Sequence, residues 1–250
     1  MNFINITRNE RVVTLTLARG KVNAINPQLI RELQTTLDDL EKDRDIRAII
    51  LTGAGKFFSF GFDVPELLSF DRSAFRMFLN AMTSLKIRLF LYPKPIIAAI
   101  NGHATGGGCM LVITGDYRIM VTGNAKIALN EMNLAVPVFA STAAILEFII
   151  GRHNTEKFLY DGLMLTAEEV YPLGLINQLS TPETLVADAQ NKAREFAAKD
   201  PIAFAGMKKL LRQPVADAVF PREKQSIEDF MDAWFGEAAQ AILRNMTIRK

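Results

Sequence analysis

The stretch Ile96-Ile97-Ala98-Ala99-Ile100-Asn101-Gly102-His103-Ala104-Thr105-Gly106-Gly107-Gly108-Cys109 joins an apolar run to a glycine turn. The first five residues form a short continuous apolar run, which is typical of a buried strand, and the run stops at Asn101-Gly102. The glycines at 106–108 then begin a second element, which has helical character from Met110 onward. A buried strand that leads into a helix through a glycine turn is a unit of an α/β fold.

The same pattern occurs on both sides of this stretch. Strands are predicted at residues 12–17, 46–52 and 116–121, and helices at residues 27–42 and 73–91. Asn26-Pro27 supplies a capping residue and a helix-favoured proline for the first helix, and Gly53-Ala54-Gly55 closes the second strand. The units repeat without a fixed sequence period. This favours an α/β fold with stacked parallel strands over a solenoid of identical repeats.

The pattern becomes helical after residue 141. Helices are predicted at residues 142–150, 155–161, 166–171, 184–198, 202–211 and 226–246. The last of them carries large apolar side chains on one face: Ile227, Phe230, Met231, Trp234, Phe235, Ala238 and Ile242. Packing against its own core is the favoured interpretation of this face, and a subunit interface is the alternative. Because no Ser/Gly/Pro-rich linker interrupts the chain, we expect a body at residues 1–195 and a helical C-terminal region at 196–250.

Composition excludes several classes of protein. The 250 residues are 49% hydrophobic and 22% charged, and 29 basic residues against 27 acidic ones give a net charge of +2 without a basic stripe. Nucleic acid is therefore not an expected partner. No apolar run approaches the roughly 20 residues of a membrane span, and the N-terminus lacks signal-peptide character, so a cytoplasmic location is expected. With one cysteine and two histidines, neither a disulfide nor a metal site is expected.

Two glycine-centred turns and one acid are the candidate functional residues. The turns are Ser59-Phe60-Gly61-Phe62-Asp63 and Thr105-Gly106-Gly107-Gly108-Cys109, and Glu131 follows in an apolar run. Glycine lets backbone N–H groups point outward at a bend, so two such bends can donate to one oxygen, and a nearby carboxylate can move a proton.

Other glycine-rich sites fit the sequence poorly. Residues 52–57 resemble part of a phosphate loop, but Ile50 occupies the position of its first glycine and no Ser or Thr follows Lys56. A dinucleotide-binding turn would need glycine where Phe58 stands. A Ser-His-Asp site has no Gly-x-Ser-x-Gly elbow to support it.

The segments 21–26, 51–63 and 95–109, together with the residues around Glu131, resemble the crotonase, or enoyl-CoA hydratase/isomerase, superfamily. The resemblance implies a spiral of ββα units with a helical C-terminal extension, assembled as a homotrimer or a dimer of trimers. It also implies an acyl-CoA substrate whose thioester oxygen accepts hydrogen bonds from the N–H groups of Phe62 and Gly107, which form an oxyanion hole. No cofactor is expected, because CoA is part of the substrate.

The resemblance also bears on the reaction. Hydratases of this family use two glutamates, and the position of the first is Met110 here, which leaves Glu131 alone. One carboxylate is sufficient to take a proton from C2 of a 3-enoyl thioester and return it at C4. Residues 129–131 also resemble mitochondrial Δ3,Δ2-enoyl-CoA isomerases. We therefore predict an isomerase with Glu131 as the catalytic residue; decarboxylation, thioester hydrolysis, hydration and a catalytically silent acyl-CoA-binding role are alternatives.

The remaining site residues are predicted to bind or shape the substrate. By resemblance, the loop from Lys21 to Ala24 binds the adenine end of CoA, and Lys21 and Lys56 neutralise phosphate. Residues of the two turns and of the segment before the acid shape the acyl pocket: Ser59, Phe60, Gly61, Asp63, Gly106, Met110 and Asn130. Asp63 has an alternative role as the cap of a short helix that begins near Val64-Pro65.

Overall fold

Two β-sheets and the helices packed on them make up the structure, a computed structural model that describes residues 3–245. The strands are β1 (Ile4–Asn9), β2 (Val12–Leu17), β3 (Ala48–Gly53), β4 (Phe57–Ser59), β5 (Ile96–Ile100), β6 (His103–Thr105), β7 (Tyr117–Val121), β8 (Ile127–Ala128) and β9 (Gln178–Ser180). The helices are α1 (Pro27–Lys42), α2 (Val64–Leu67), α3 (Arg72–Leu91), α4 (Gly107–Val112), α5 (Ala140–Asp161), α6 (Ala167–Val170), α7 (Leu185–Ala197), α8 (Pro201–Trp234) and α9 (Glu237–Leu243), with a 3₁₀ helix at Glu131–Leu134.

The strands alternate between the two sheets. The larger sheet has the order β1-β2-β3-β5-β7-β9, in which the first pair is antiparallel and the other pairs are parallel. The smaller sheet has the parallel order β4-β6-β8. Thus β3, β5 and β7 are each followed by a short strand of the second sheet. This arrangement confirms the predicted α/β spiral of ββα units with a C-terminal helical region.

The short strands were missed by the sequence prediction. The smaller sheet is built from segments of two or three residues, whose extended backbone depends on parallel pairing with one another. The expectation that only helices follow residue 141 is wrong at β9, which pairs with β7 through Met120 and Leu179. Such distant pairings leave little trace in local sequence patterns.

The helix ends follow local capping chemistry. Asn26 caps α1 by accepting a hydrogen bond from the Leu29 N–H, and Pro27 occupies the first turn. The predicted helices 142–150 and 155–161 form one helix, α5, which is broken at Gly151, where φ is +74°. Only glycine adopts such a backbone at little cost, so the predicted interruption corresponds to a kink.

The C-terminal helices differ from the prediction. Residues 202–211 and the first part of 226–246 belong to one helix, α8, which continues through Pro214 and Pro221. That helix ends before Gly236, and Met246 lies outside the described residues. The predicted apolar face is largely core: Ile227, Phe230, Met231 and Trp234 are buried. These side chains join the main apolar core, and the boundary between residues 195 and 196 stays a prediction.

Membrane insertion through a helix has no support in the described part of the chain. None of the helices within residues 3–245 combines the length and apolar character that a bilayer span requires. The cytoplasmic location stays a prediction.

Candidate active site

The first glycine turn is shaped by its neighbours on both sides. Gly61 has φ of +100°, and a Cβ at this position would lie 2.7 Å from the carbonyl oxygen of Thr105. The hydroxyl of Ser59 donates to the carbonyl of Asn23 at 2.8 Å and accepts from the Gly61 N–H at 3.2 Å. Ser59 is fully buried, so these two hydrogen bonds are shielded from water and hold the turn in place.

The second turn packs directly against the first. Gly106 has φ of +50°, and its N–H donates to the carbonyl of Ala128 at 2.9 Å. A Cβ on Gly107 would lie 2.8 Å from two ring carbons of Phe62, and one on Gly108 would lie 2.3 Å from the carbonyl oxygen of Ser59. The glycine triplet is therefore required for close approach of two backbones as well as for the bend.

Two backbone donors are available at this junction. Ile25 exchanges hydrogen bonds with the carbonyl of Gly61 and the N–H of Asp63, so the intervening N–H of Phe62 points away from Ile25. Among the described residues, no protein group accepts a hydrogen bond from the N–H of Phe62 or of Gly107. Two unused N–H groups on adjoining turns can stabilise a developing oxyanion.

Glu131 supplies the carboxylate. It begins the 3₁₀ helix after Asn130, is only 5% exposed, and places its Oε1 atom 3.6 Å from the position of a Cβ on Gly106. Within residues 3–245, its Oε2 atom is buried without a hydrogen-bond partner. Burial raises the pKa of Glu131 to about 7, while its own backbone N–H and the ammonium of Lys86 act in the opposite direction. A carboxyl group with this pKa can accept and release a proton near neutral pH.

A small cavity of about 60 Å³ joins these groups. The two turns contribute one part of its wall, and the segment around Glu131 and helix α8 contribute the other. Its lining residues are Phe60, Gly61, Phe62, Thr105, Gly106, Gly107, Asn130, Glu131, Leu134, Val136, Phe230 and Trp234. Most of the lining is apolar, so a carbonyl placed here would meet the N–H groups and the acid in a poorly solvated space.

The structure separates the predicted site residues into two groups. Phe60, Gly61, Phe62, Gly106, Gly107, Asn130 and Glu131 meet at the cavity. Ser59, Asp63, Met110, Ala24 and Lys21 lie outside its described lining. Met110 is fully buried within α4, and Lys21 and Lys56 are exposed at the surface.

Asp63 has a structural role that the sequence offered as an alternative. Its side chain accepts from the Glu66 N–H at 3.1 Å, which caps α2. A second oxygen pairs with Arg19 at 2.6 Å, and Arg19 also donates to the carbonyl of Ala24 at 3.1 Å. Arg19 thereby ties the loop that ends at Ala24 to the first glycine turn.

Five residues of the site were not predicted as site residues from the sequence: four that line the cavity and one whose side chain links the two turns. Leu134, Val136, Phe230 and Trp234 close the cavity, and the Thr105 hydroxyl joins the turns by donating to the carbonyl of Phe60 at 2.7 Å. The aromatic pair was visible as part of the apolar face of the last predicted helix. Its position over the cavity depends on the tertiary packing of α8, which that face does not specify.

Gly107→Ala is expected to lower turnover by about 10²–10³-fold with little loss of folded protein. The new methyl group would displace the Phe62 ring, which is backed by Phe78 at 5.0 Å between ring centroids, and would move the Phe62 N–H with it. Steady-state kinetics beside circular dichroism checks this. Gly206→Ala is the matched control, because nothing lies within 4 Å of its added Cβ. Equal turnover for both variants would contradict the role of Gly107.

Comparison with known proteins shows the family to which the chain belongs. The family model of enoyl-CoA hydratase/isomerase matches residues 7–235. YngF of Bacillus subtilis, assigned by name to the enoyl-CoA hydratases/isomerases, is 34% identical over 198 residues, which are 78% of this chain and 76% of YngF. The short-chain-enoyl-CoA hydratase of Clostridium acetobutylicum is 31% identical over 206 residues, which are 81% of this chain and 78% of that protein.

A solved structure extends the likeness to nearly the whole chain. Human mitochondrial Δ3-Δ2-enoyl-CoA isomerase superposes with a TM-score of 0.92 over 97% of this chain and 96% of its own, at 24% identity. This likeness shows that the fold is shared. With the family match over residues 7–235, the chain belongs to the enoyl-CoA hydratase/isomerase family and is an enzyme of the crotonase superfamily.

Proposed function

We propose that the protein is a Δ3,Δ2-enoyl-CoA isomerase that needs no cofactor. The observation that carries the proposal is that Glu131 is the one carboxylate in the described lining of a small cavity. Phe62 and Gly107, whose N–H groups have no protein acceptor among the described residues, line the same cavity. Glu131 as the carboxylate removes a proton from C2 of a 3-enoyl thioester. The electrons move onto the thioester oxygen, which the N–H groups of Phe62 and Gly107 stabilise. The carboxyl group of Glu131 then returns the proton at C4, and the double bond lies between C2 and C3.

Hydration is disfavoured by the residue at position 110. Adding water to a 2-enoyl thioester requires one group to take a proton from water and a proton source for C2, work suited to two carboxylates. Met110 can neither accept nor donate a proton, and it is fully buried in α4. The Clostridium relative is named a hydratase, so hydration is the reaction that an experiment must compare directly.

The binding of the CoA portion is proposed from the resemblance. The loop from Lys21 to Ala24 would hold the adenine end, and the exposed ammonium groups of Lys21 and Lys56 would neutralise phosphate. The side chain of Arg19 supports this by fixing the Ala24 carbonyl and pairing with Asp63 beside the first turn.

The assay supplies a 3-enoyl-CoA and follows the conjugated thioester by its ultraviolet absorbance, with hydration of a matched 2-enoyl-CoA as the control. Isomerisation much faster than hydration is the expected result. Faster hydration would overturn the isomerase assignment, and turnover of malonyl-type or saturated thioesters alone would favour decarboxylation or hydrolysis. Acyl-CoA binding without any turnover would indicate a silent member of the family.

The pH dependence follows from the raised pKa of Glu131. The base must be ionised, so kcat/KM is expected to fall below pH 7 with an apparent pKa of about 7. At pH 5 it should be about 100-fold below the plateau, since one proton must be lost for activity. Kinetics from pH 5 to 9 with circular dichroism at each pH tests this. A constant kcat/KM between pH 5 and 8 would contradict the role of Glu131 as the base.

Self-association as a homotrimer or a dimer of trimers is also proposed. The first 20 residues of α8 expose large apolar side chains, namely Ile202, Met207, Leu210, Leu211 and Phe220. Such a surface is typical of a contact between subunits. Sedimentation velocity is expected to give three or six times the 27.9 kDa chain mass, and Leu210→Glu is expected to reduce it. A wild-type monomer at micromolar concentration would contradict the proposal.

A further inference from the structure

A buried ammonium group packs against the aromatic cluster that lines the cavity of Glu131. The ammonium is that of Lys86, which lies over the Phe139 ring, and Phe139 stacks on the cavity residue Phe230 at 4.8 Å between ring centroids. Lys86 on α3 is 0% exposed, and its Nζ atom donates to the Thr142 hydroxyl on α5 at 2.6 Å. The same atom lies 4.9 Å from the centroid of the Phe139 ring. Within residues 3–245, no carboxylate forms an ion pair with Lys86 inside 4.0 Å. Burial of a charge in such surroundings costs free energy unless other charges compensate for it.

Two carboxylates act on this ammonium from neighbouring elements. The stronger influence is Glu223 on α8, and the second is Glu131. Glu223 is already occupied at the start of α5, where it accepts from the Ser141 N–H at 2.8 Å and from the Ser141 hydroxyl. The Oε2 atom of Glu131 is buried without a hydrogen-bond partner among the described residues. The ionised form of Glu131 therefore depends more strongly on nearby charged groups for its stabilisation.

The other groups that face Glu131 supply no positive charge. Cys109 on α4 is a fully buried thiol, and its pKa is raised by burial and by the charge of Glu131. Phe230 and Trp234, which α8 contributes to the same cavity, are uncharged. Phe139, the residue before α5, and Thr142, in its first turn, contact Lys86 and are also uncharged. Lys86 is thus the cation that acts on Glu131 among the described groups.

The two groups stabilise each other in their charged forms. Burial lowers the pKa of Lys86 to about 8, and Glu223 and Glu131 oppose that decrease. Lys86 in turn opposes the rise in the pKa of Glu131. Each group is at least half charged between about pH 7 and 8, and the two titrations are coupled. A methionine would fill a similar volume without the cost of burying an ammonium.

We propose that Lys86 is a positioning residue for Glu131: its buried ammonium, packed on the Phe139 ring, stabilises the carboxylate form of Glu131 that accepts the proton. Lys86 is outside the described lining of the cavity, so it acts through Glu131 and does not touch the substrate. The effect on turnover rests on the proposed function, whereas the effect on the ionisation of Glu131 does not.

The test is Lys86→Met, with Lys94→Met as the matched control. Lys94 is a half-buried ammonium whose facing carboxylates are Asp43 and Glu41, so its loss leaves Glu131 unaffected. The carboxyl infrared band that disappears in Glu131→Gln is followed against pH in the absence of substrate. The midpoint should rise by roughly one unit in Lys86→Met and stay unchanged in Lys94→Met.

Kinetics provides the second measurement. For Lys86→Met, kcat/KM is expected to fall by about fivefold at pH 7 and to recover at high pH, because only the ionised fraction changes. An unchanged infrared midpoint, or an equal loss of turnover at every pH, would overturn the proposal. Lys86→Gln is judged by the same criteria if the methionine variant does not fold. Absence of isomerisation with a shifted midpoint would reject the proposed reaction and leave the role of Lys86 standing.

Discussion

Glu131→Gln is expected to lower turnover of a 3-enoyl-CoA by about 10³–10⁴-fold, near the upper end of what general acid–base catalysis contributes. Glutamine has nearly the same shape but cannot accept the C2 proton. No other described residue of the cavity lining carries a carboxylate that could replace it. The oxyanion donors are backbone groups of Phe62 and Gly107 and remain in place. Initial rates from the absorbance of the conjugated product give the ratio.

The matched control is Glu156→Gln on the exposed surface of α5, where Glu156 pairs with Arg152. This variant should retain wild-type turnover. Binding of a saturated acyl-CoA by Glu131→Gln should also be close to wild type, because the change removes chemistry and leaves the cavity intact. Turnover within tenfold of wild type would remove Glu131 from the mechanism.

The same substitution should stabilise the protein at high pH. Because the folded-state pKa of Glu131 is raised from 4.5 to about 7, the folded state binds more protons than the unfolded state between these values. Stability therefore falls as pH rises through this window, and the buried carboxylate costs on the order of 3 kcal/mol above pH 7. Denaturation should show Glu131→Gln to be more stable than wild type at pH 8 and nearly equal at pH 4.

The glycine turns and helix caps were predictable because their causes are local. Gly61 and Gly106 both adopt positive φ, and glycine at such positions can be recognised from sequence. Asn26 and Asp63 cap helices through hydrogen bonds to residues three positions later. The small sheet is different, because its strands are defined by pairs such as Phe57 with His103, which lie 46 positions apart.

The sequence places Lys86 on an apolar helix face but does not show which group its ammonium acts on. This lysine lies at helical spacing from Leu79, Met82 and Leu89, all on the buried face of α3. A lysine on an apolar stripe can therefore be recognised as a candidate buried charge. The action of Lys86 on Glu131 cannot be recognised from the sequence, because it depends on how α3, α5 and the 3₁₀ helix pack together.

Helix α8 illustrates the opposite case, in which tertiary contacts override a local signal. Proline inside a helix removes a hydrogen bond and usually marks a break, yet α8 continues through Pro214 and Pro221. Buried contacts hold both ends: Lys208 and Arg212 near the start, and Phe230 and Trp234 near the end. The second pair lines the cavity beside Glu131.

Asp116→Ala is expected to lower the free energy of unfolding by about 3–5 kcal/mol. Asp116 pairs with Lys208 at 2.7 Å and with Arg212 at 3.0 Å, and all three side chains are almost completely buried. It also accepts from the Ile96 N–H at 2.8 Å, at the start of β5. Without the carboxylate, two cations would remain buried with fewer partners. Urea denaturation measures the loss.

The matched control is Asp232→Ala, which removes an exposed ion pair with Arg72 and should cost less than about 1 kcal/mol. Lys208→Met combined with Asp116→Ala should recover part of the loss, because one buried cation is removed with its partner. A loss below about 1 kcal/mol for Asp116→Ala would mean that water reaches these cations.

Since Asp116 anchors the start of α8 whereas the cavity contacts its end, the molecules that remain folded should retain turnover close to wild type. If Asp116→Ala loses stability but keeps its turnover, the ion pairs that anchor α8 contribute to folding and not to the chemistry at Glu131.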